Sequence, residues 1–352
     1  MAKDILDAVY GCLIAGAIGD SMGAPVEGWY YREIKEKYGK VDRFMPFKTG
    51  YSDGSPGTIT DDTVLKHYLC LTILRRGGRI LPEDFAQTWV ELMNADRLWV
   101  NERLTQIKLK QGMNPWDAGQ GNIPAGCASM AIAPVGIINA GNPEQAYEDG
   151  MAIASVNQFG SNRDAAATFV PGAGVDSVIE AALKCSSWIM RRAYELTFDL
   201  AEGCGSVDEF AEKFYDRLLD RSWPQANWKK ERYFSGNSHE FVPASLAILR
   251  LCRGDVNRCI VEGASFGWDC DTIANVAGGI AGAMQGAASI RQEWIRTCET
   301  ANAEFFREAE GDPEANFYRT AVRMVEALKN EQRRAGERAD QLARILGLSG
   351  SN

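Results

Sequence analysis

Apolar residues recur at helical spacing along most of the chain. Ile5, Val9, Leu13 and Gly16 fall on one face of a first helix that ends near Gly19, and this three-to-four residue period is typical of an amphipathic helix. No stretch has the regular alternation and the Asn-Gly turns that are expected of a sheet protein. The pattern predicts an all-α fold.

The same period predicts the positions of further helices. A Ser-x-x-Glu capping box at Ser206 marks the start of one of them. The predicted helices cover residues 60–74, 142–153, 175–200, 206–219, 243–252, 256–265, 272–290 and 315–346. Glycine-rich polar sequence at 39–57 and 112–126 predicts loops. Because no low-complexity linker divides the chain, we predict one domain over 1–352, with a C-terminal helical extension at about 315–348.

Composition narrows the class of protein. The net charge of −9 argues against binding to nucleic acid, which requires a basic face. Nine scattered cysteines without CxxC pairs suit reduced thiols, so we expect a cytoplasmic protein. The most apolar segment, 273–290, is interrupted by Gly, Asn and Gln, which favours a core helix, and no membrane association is expected.

Two acidic clusters carry the candidate chemistry. Each combines threonine hydroxyls with aspartates before a predicted helix: Thr60-Asp61-Asp62-Thr63 and Asp269-Cys270-Asp271-Thr272. Hard cations such as Mg²⁺ take oxygen ligands of this kind. Taken alone, however, Thr60 also fits a simple helix cap.

The two clusters would repel each other if the fold brought them together without a counter-ion. Either cations neutralise them or several pKa values rise. Four aspartates can hold two divalent ions. Glu27, in a glycine-punctuated turn after the first helix, fits either a surface position or the same site. Asp20 is interpreted as a structural hydrogen-bonding residue at the helix end.

These residues together resemble the ADP-ribosylglycohydrolase family. The resemblance covers 11–27, 60–63, 129–136 and 267–286, and the segment from Asp269 to Ala274 followed by Gly278, Gly282 and Gly286 is its most specific part. It implies a multi-helix orthogonal bundle with a central cleft for two divalent cations, Mg²⁺ or alternatively Mn²⁺. The implied metal ligands are Thr60, Asp61, Asp62, Asp269, Asp271 and Thr272. Glu27 with Asp61 or Asp62 would be the acid/base residues for cleavage at the anomeric carbon of a ribose.

The chain departs from the family on the substrate side. Residues 125–131 lack the asparagine and the arginine that many members carry there. We predict that Gly126, Cys127 and Ser129 from this segment, together with Trp268, contact the substrate. An ADP-ribosyl group, free or protein-linked, and a smaller nucleoside-like ribosyl compound are both candidates. A non-catalytic descendant that kept the fold is the alternative, and the oligomeric state is left open.

Overall fold

The computed structural model describes residues 4–48, 53–166, 174–219 and 237–348. Helices dominate, which confirms the all-α prediction. In chain order, the α-helices are α1 Ile5–Gly23, α2 Tyr31–Tyr38, α3 Asp61–Arg76, α4 Pro82–Glu91, α5 Val100–Lys110, α6 Cys127–Ala131, α7 Ala133–Ile138, α8 Pro143–Ala154, α9 Ser161–Ala166, α10 Val175–Cys185, α11 Trp188–Glu202, α12 Val207–Lys213, α13 Ser238–Leu251, α14 Val256–Ala264, α15 Cys270–Gln285, α16 Gln292–Ala301, α17 Ala303–Glu310 and α18 Phe317–Ile345.

Short elements connect these helices. A two-residue antiparallel pair, β1 Phe47–Lys48 and β2 Asp53–Gly54, lies within the predicted loop 39–57, of which residues 49–52 fall outside the described ranges. Turns of 3₁₀ helix cover Ala24–Val26, Ala95–Arg97 and Ala287–Ser289, and a π-helical segment, Phe214–Leu219, continues α12.

Several predicted boundaries were wrong. The predicted helix 175–200 is two helices, because Ser186 and Ser187 are extended and the Ser187 N–H donates to Asp164 (2.9 Å). The predicted helix 272–290 ends at Gln285, where Gly286 takes a positive φ of 85°. Helix α1 continues past Gly19 to Gly23, with the intervening side chains buried.

The centre of the molecule is the contact between α1 and α15, which lie against each other along their lengths. Glycines allow the two backbones to touch: a β-carbon on Gly19 would clash with the backbone of Ala274, and one on Gly11 would clash with that of Gly282. Helices α14 and α13 cover the other sides of α15. The glycine spacing noticed in the sequence therefore serves close helix packing.

Helix α1 also meets the length and composition of a membrane-crossing segment. The apolar stretch Ile5–Val26 has 72% of its most apolar window buried inside the protein, as in a core helix. Its central place against α15 and α18 accounts for that apolarity.

The long helix α18 packs its first half against α1, α3 and α7. Buried side chains on this half include Phe317, Ala321 and Met324. From residue 332 onward the helix is almost entirely exposed, so only its second half projects beyond the core. The division into domains remains a prediction.

Candidate metal centre

The two acidic clusters line one cleft. Helix α3 begins at Asp61 and α15 begins at Cys270, and the N-termini of both helices open into it. The cleft encloses about 380 Å³, including its open mouth. Its lining residues are Glu27, Asp61, Asp62, Trp99, Ala125, Gly126, Cys127, Met130, Asp269, Asp271 and Thr272. The spatial meeting on which the sequence argument depended is therefore present.

The start of α3 is fixed by the end of α1. The buried Asp20 carboxylate accepts hydrogen bonds from the Thr60 hydroxyl (2.8 Å), the Thr60 N–H (3.1 Å) and the Thr63 N–H (3.2 Å). Thr60 in turn caps the helix by accepting from the Asp62 N–H (3.3 Å). The structural interpretation of Asp20 and the capping interpretation of Thr60 are both confirmed. Thr60 lies just behind the cleft lining, and its role as a ligand stays a prediction.

A tight backbone turn brings Glu27 to the start of α15. Gly267 and Trp268 both have positive φ angles, 92° and 55°, and the second is unusual for a bulky residue. The turn is held by two backbone hydrogen bonds, from Trp268 N–H to Trp29 (2.7 Å) and from Gly28 N–H to the Trp268 carbonyl (2.8 Å). Glu27 therefore belongs to the cleft, which decides between the two positions left open by the sequence.

Three carboxylates come close enough to share a cation. One oxygen each from Glu27, Asp269 and Asp271 lies within 4.8 Å of the other two. Asp271 Oδ1 is buried without a hydrogen-bond partner among the described residues, although buried acceptors normally have one. An all-oxygen donor set with such an unsatisfied atom fits a hard divalent cation. Asp61 and Asp62 line the same cleft.

Burial and mutual repulsion raise the pKa values of these carboxyl groups. Desolvation, followed by the charge of Asp62, raises the pKa of both Asp20 and Glu27 to about 7. Desolvation also holds the pKa values of Asp61, Asp269 and Asp271 well above the usual range of an aspartate. Protons must therefore stay on part of the cluster unless cations take their place.

Two of the four predicted substrate contacts lie in the cleft. Gly126 and Cys127 line it. Ser129 is buried one turn further, where its hydroxyl donates to that of Ser238 (3.3 Å). Trp268 packs its ring 6.3 Å from that of Tyr30. Neither is among the residues that line the cleft, so their contact with a substrate stays a prediction.

Sequence reasoning missed functional neighbours on α5. Trp99, immediately before this helix, is the tryptophan that lines the cleft. Glu102 is fully buried, and its charge adds to the desolvation that raises the pKa of Asp61. Helix α5 was not predicted, and no motif marks either residue, so the sequence offered no signal for them.

Comparison with known proteins decides the family. The model of the family described as ADP-ribosylglycohydrolase matches residues 1–335. The chain belongs to the ADP-ribosylglycohydrolase family. Membership in this glycohydrolase family makes hydrolysis of a glycosidic bond the reaction class, and it confirms the resemblance seen in the acidic and glycine-rich segments.

Individual relatives are distant. The chain is 26% identical over 304 residues to the uncharacterised protein YegU of Escherichia coli, covering 81% of this chain and 89% of that protein. It is 24% identical over 303 residues to the ADP-ribosyl-[dinitrogen reductase] glycohydrolase of Rhodospirillum rubrum, covering 82% and 89%.

A solved structure shares the fold. The chain described as an ADP-ribosylglycohydrolase-related protein complex superimposes with a TM-score of 0.59 at 20% identity, and the match covers 92% of this chain and 99% of that one. At this identity the likeness supports the fold of the ADP-ribosylglycohydrolase type and carries no information on the substrate.

Proposed function

We propose that this protein is a metal-dependent glycosidase that hydrolyses the bond at the anomeric carbon of a ribosyl group. The observation that carries the proposal is the convergence of Asp61 and Asp62 with Asp269 and Asp271 on one buried cleft. Two divalent cations, Mg²⁺ or Mn²⁺, are the proposed occupants, with Thr60 and Thr272 as neutral oxygen ligands. Bound there, such ions orient ribose hydroxyls and lower the pKa of a coordinated water.

The side chains of the cleft supply the remaining chemistry. Glu27 reaches the cleft from a turn and lies close to Asp269 and Asp271, so its carboxyl group is placed to accept a proton from water or to return one to the leaving group. Asp61 or Asp62 is the second proposed acid/base residue. The negative charge of the carboxylates stabilises an oxocarbenium-like transition state.

The lining of the cleft favours a small ribosyl substrate over a diphosphate-containing one. Ala125, Gly126 and Cys127 present no cationic side chain, and no arginine or lysine occurs among the described residues that line the cleft. A diphosphate would enter a strongly acidic region with only bound cations to offset its charge. A nucleoside-like compound carries no such charge.

We also propose that the protein is cytoplasmic, which the nine unpaired cysteines support.

The proposal is tested by incubating purified protein with ADP-ribosyl-arginine and, separately, with a panel of ribonucleosides. Release of ADP-ribose or ribose is followed chromatographically with Mg²⁺, with Mn²⁺ and with a chelator. We expect release that requires the metal, and greater release from the small ribosyl compounds. Tight metal uptake without release from any substrate would favour a non-catalytic descendant instead.

A further inference from the structure

A buried lysine stands behind the acidic cleft. Lys66 lies one turn after Asp62 on α3 and is 3% exposed, which makes it the only lysine or arginine that is fully buried in the described ranges. Burial of an ammonium group is costly unless it is paired, yet no carboxylate forms a salt bridge with it among the described residues. Its ammonium donates a hydrogen bond to Oδ1 of Asn275 on α15. Stability alone does not account for a buried ammonium group at position 66.

Asn275 connects the lysine to the metal centre. Its amide nitrogen donates to Asp62 Oδ1 (3.0 Å) and to the Met130 carbonyl (3.3 Å). A carboxylate and a carbonyl can only accept, so the NH₂ group must face them and the amide oxygen must face Lys66. The orientation of the amide is therefore determined by the chemistry of its partners. The lysine completes that arrangement by supplying the donor which the amide oxygen needs.

Helix α1 leaves room for this pair of side chains. A β-carbon on Gly16 would lie 2.7 Å from Asn275 Oδ1 and 2.8 Å from Lys66 Nζ. Both distances are closer than real β-carbons approach other atoms. Three elements, α1, α3 and α15, thus combine to hold one ammonium–amide contact directly behind the cleft.

We propose that Lys66 and Asn275 form a positioning pair that holds the Asp62 carboxylate in place for a divalent cation. The amide donates to Oδ1 of Asp62, and the carboxylate lines the cleft, where the Thr272 hydroxyl also donates to it. This inference rests on the proposed function, because it concerns the affinity for the metal. Neither residue touches the reacting atoms, so both are positioning residues.

A positioning role and a simple charge effect predict opposite results. As a nearby positive charge, Lys66 repels a divalent cation, and its replacement by a neutral residue would tighten metal binding. As the anchor of Asn275, it keeps Asp62 ready to bind, and its replacement would weaken metal binding. Loss of a residue that orients a metal ligand typically lowers affinity about 10–100-fold.

The test is calorimetric titration of the chelated full-length protein with Mg²⁺ and with Mn²⁺. The variants are Lys66→Met, which keeps the length without the donor, Asn275→Leu, which keeps the volume, and the double variant. Lys66→Gln restores a neutral donor. Lys40→Met is the control. It removes an ammonium group that forms salt bridges with Asp208 and Glu262, and this site is outside the cleft. Circular dichroism establishes that each variant is folded.

We expect dissociation constants at least about 10-fold weaker for Lys66→Met and Asn275→Leu. The double variant should bind no more weakly than the weaker single variant, Lys66→Gln should bind more tightly than Lys66→Met, and Lys40→Met should match the wild type. If Lys66→Met fails to fold, Gly16→Ala, which displaces the same two atoms, takes its place with the same expectation.

Unchanged or tighter binding by Lys66→Met, or losses that add in the double variant, would overturn the positioning role. Failure of the proposed function looks different. Without a metal site, the wild-type protein itself would take up neither Mg²⁺ nor Mn²⁺, and without catalysis it would bind the metal but release no ribosyl product, which leaves the affinities of the variants free to test the positioning pair.

Discussion

Asp271 shows how a single residue can be costly to the empty protein and essential to the loaded one. Its carboxyl is buried, has one oxygen without a hydrogen-bond partner, and has a pKa raised first by desolvation and then by Glu27 and Asp62. We expect Asp271→Asn to stabilise the chelated protein, since a neutral amide removes that repulsion. The same change should abolish the stabilisation by Mg²⁺ and lower turnover at least about 100-fold, as removal of an electrostatic catalytic group typically does.

Thermal unfolding with and without Mg²⁺ measures the stability of the chelated protein and its stabilisation by the metal. The ribosyl release assay measures turnover. Asp255→Asn is the matched control: Asp255 caps α14 by accepting from the Arg258 N–H (2.9 Å), a bond that asparagine also makes. It changes the charge by the same amount outside the cleft. If both variants respond to Mg²⁺ as the wild type does, Asp271 is not a metal ligand.

The aspartates of the cleft were predictable because they stand next to threonines at predicted helix starts, whereas the position of Glu27 was left open. Their meeting in one cleft was implied by the resemblance to the family, since the residues alone left it conditional. Glu102 and Lys66 were not predictable, because each lies within a helix and acquires its role from what packs across from it. The spacing of residues in the sequence predicts which side chains are neighbours on one helix. The contacts of Lys66 and Glu102 are instead with residues on other elements.

At the scale of elements, the glycines between α1 and α15 set how closely these two helices approach each other. Because the end of α1 holds the start of α3, this approach also sets the distance between the two acidic helix starts. Gly19 of α1 faces the backbone of Ala274 and Asn275, so we expect Gly19→Ala to destabilise the protein by more than about 1 kcal/mol through overpacking. Gly336→Ala, on the exposed end of α18 where nothing lies within 4 Å, should stabilise by about 0.5–1 kcal/mol. Denaturant unfolding of the two variants gives both free energies of unfolding. Equal effects would mean that the close packing does not matter.

The existence of the long apolar helices α1, α3 and α15 was predicted, although the predicted ends of α1 and α15 were wrong. The helices that the sequence analysis missed are short or polar: α2, α4, α5, α6, α7, α9, α16 and α17. Helices of this length are marginal in isolation and form because tertiary packing covers one face. The predicted helix over 175–200 failed for a related reason, since the break at Ser186 and Ser187 depends on a hydrogen bond to the distant Asp164.

For the whole molecule, the cleft couples stability to pH and to metal. Between the ordinary carboxyl pKa of about 4 and the value near 7 for Asp20 and Glu27, the folded state keeps protons that the unfolded chain has released. The stability of the chelated protein therefore falls as pH rises through this window, by about 1.4 kcal/mol per pH unit for each fully affected group. Added Mg²⁺ should stabilise the protein more as the pH rises, because fewer protons then compete with the cation for the carboxylates.

Thermal unfolding from pH 5 to pH 8, with a chelator and with Mg²⁺, checks this coupling. The expected result is a midpoint that falls with pH in the chelator and a gap between the two conditions that widens with pH. A chelated protein that becomes more stable as pH rises would contradict the account, since it would mean that the carboxyl groups are not repelling one another.

The most direct test of the central claim is anomalous diffraction from crystals soaked in Mn²⁺. The account predicts density for two ions in the cleft, each bound by carboxylate oxygens, with Asp62 and Asp271 among the ligands and Glu27 within reach. An occupied site elsewhere combined with an empty cleft at saturating Mn²⁺ would contradict it, because the two acidic helix starts would then meet without holding a cation.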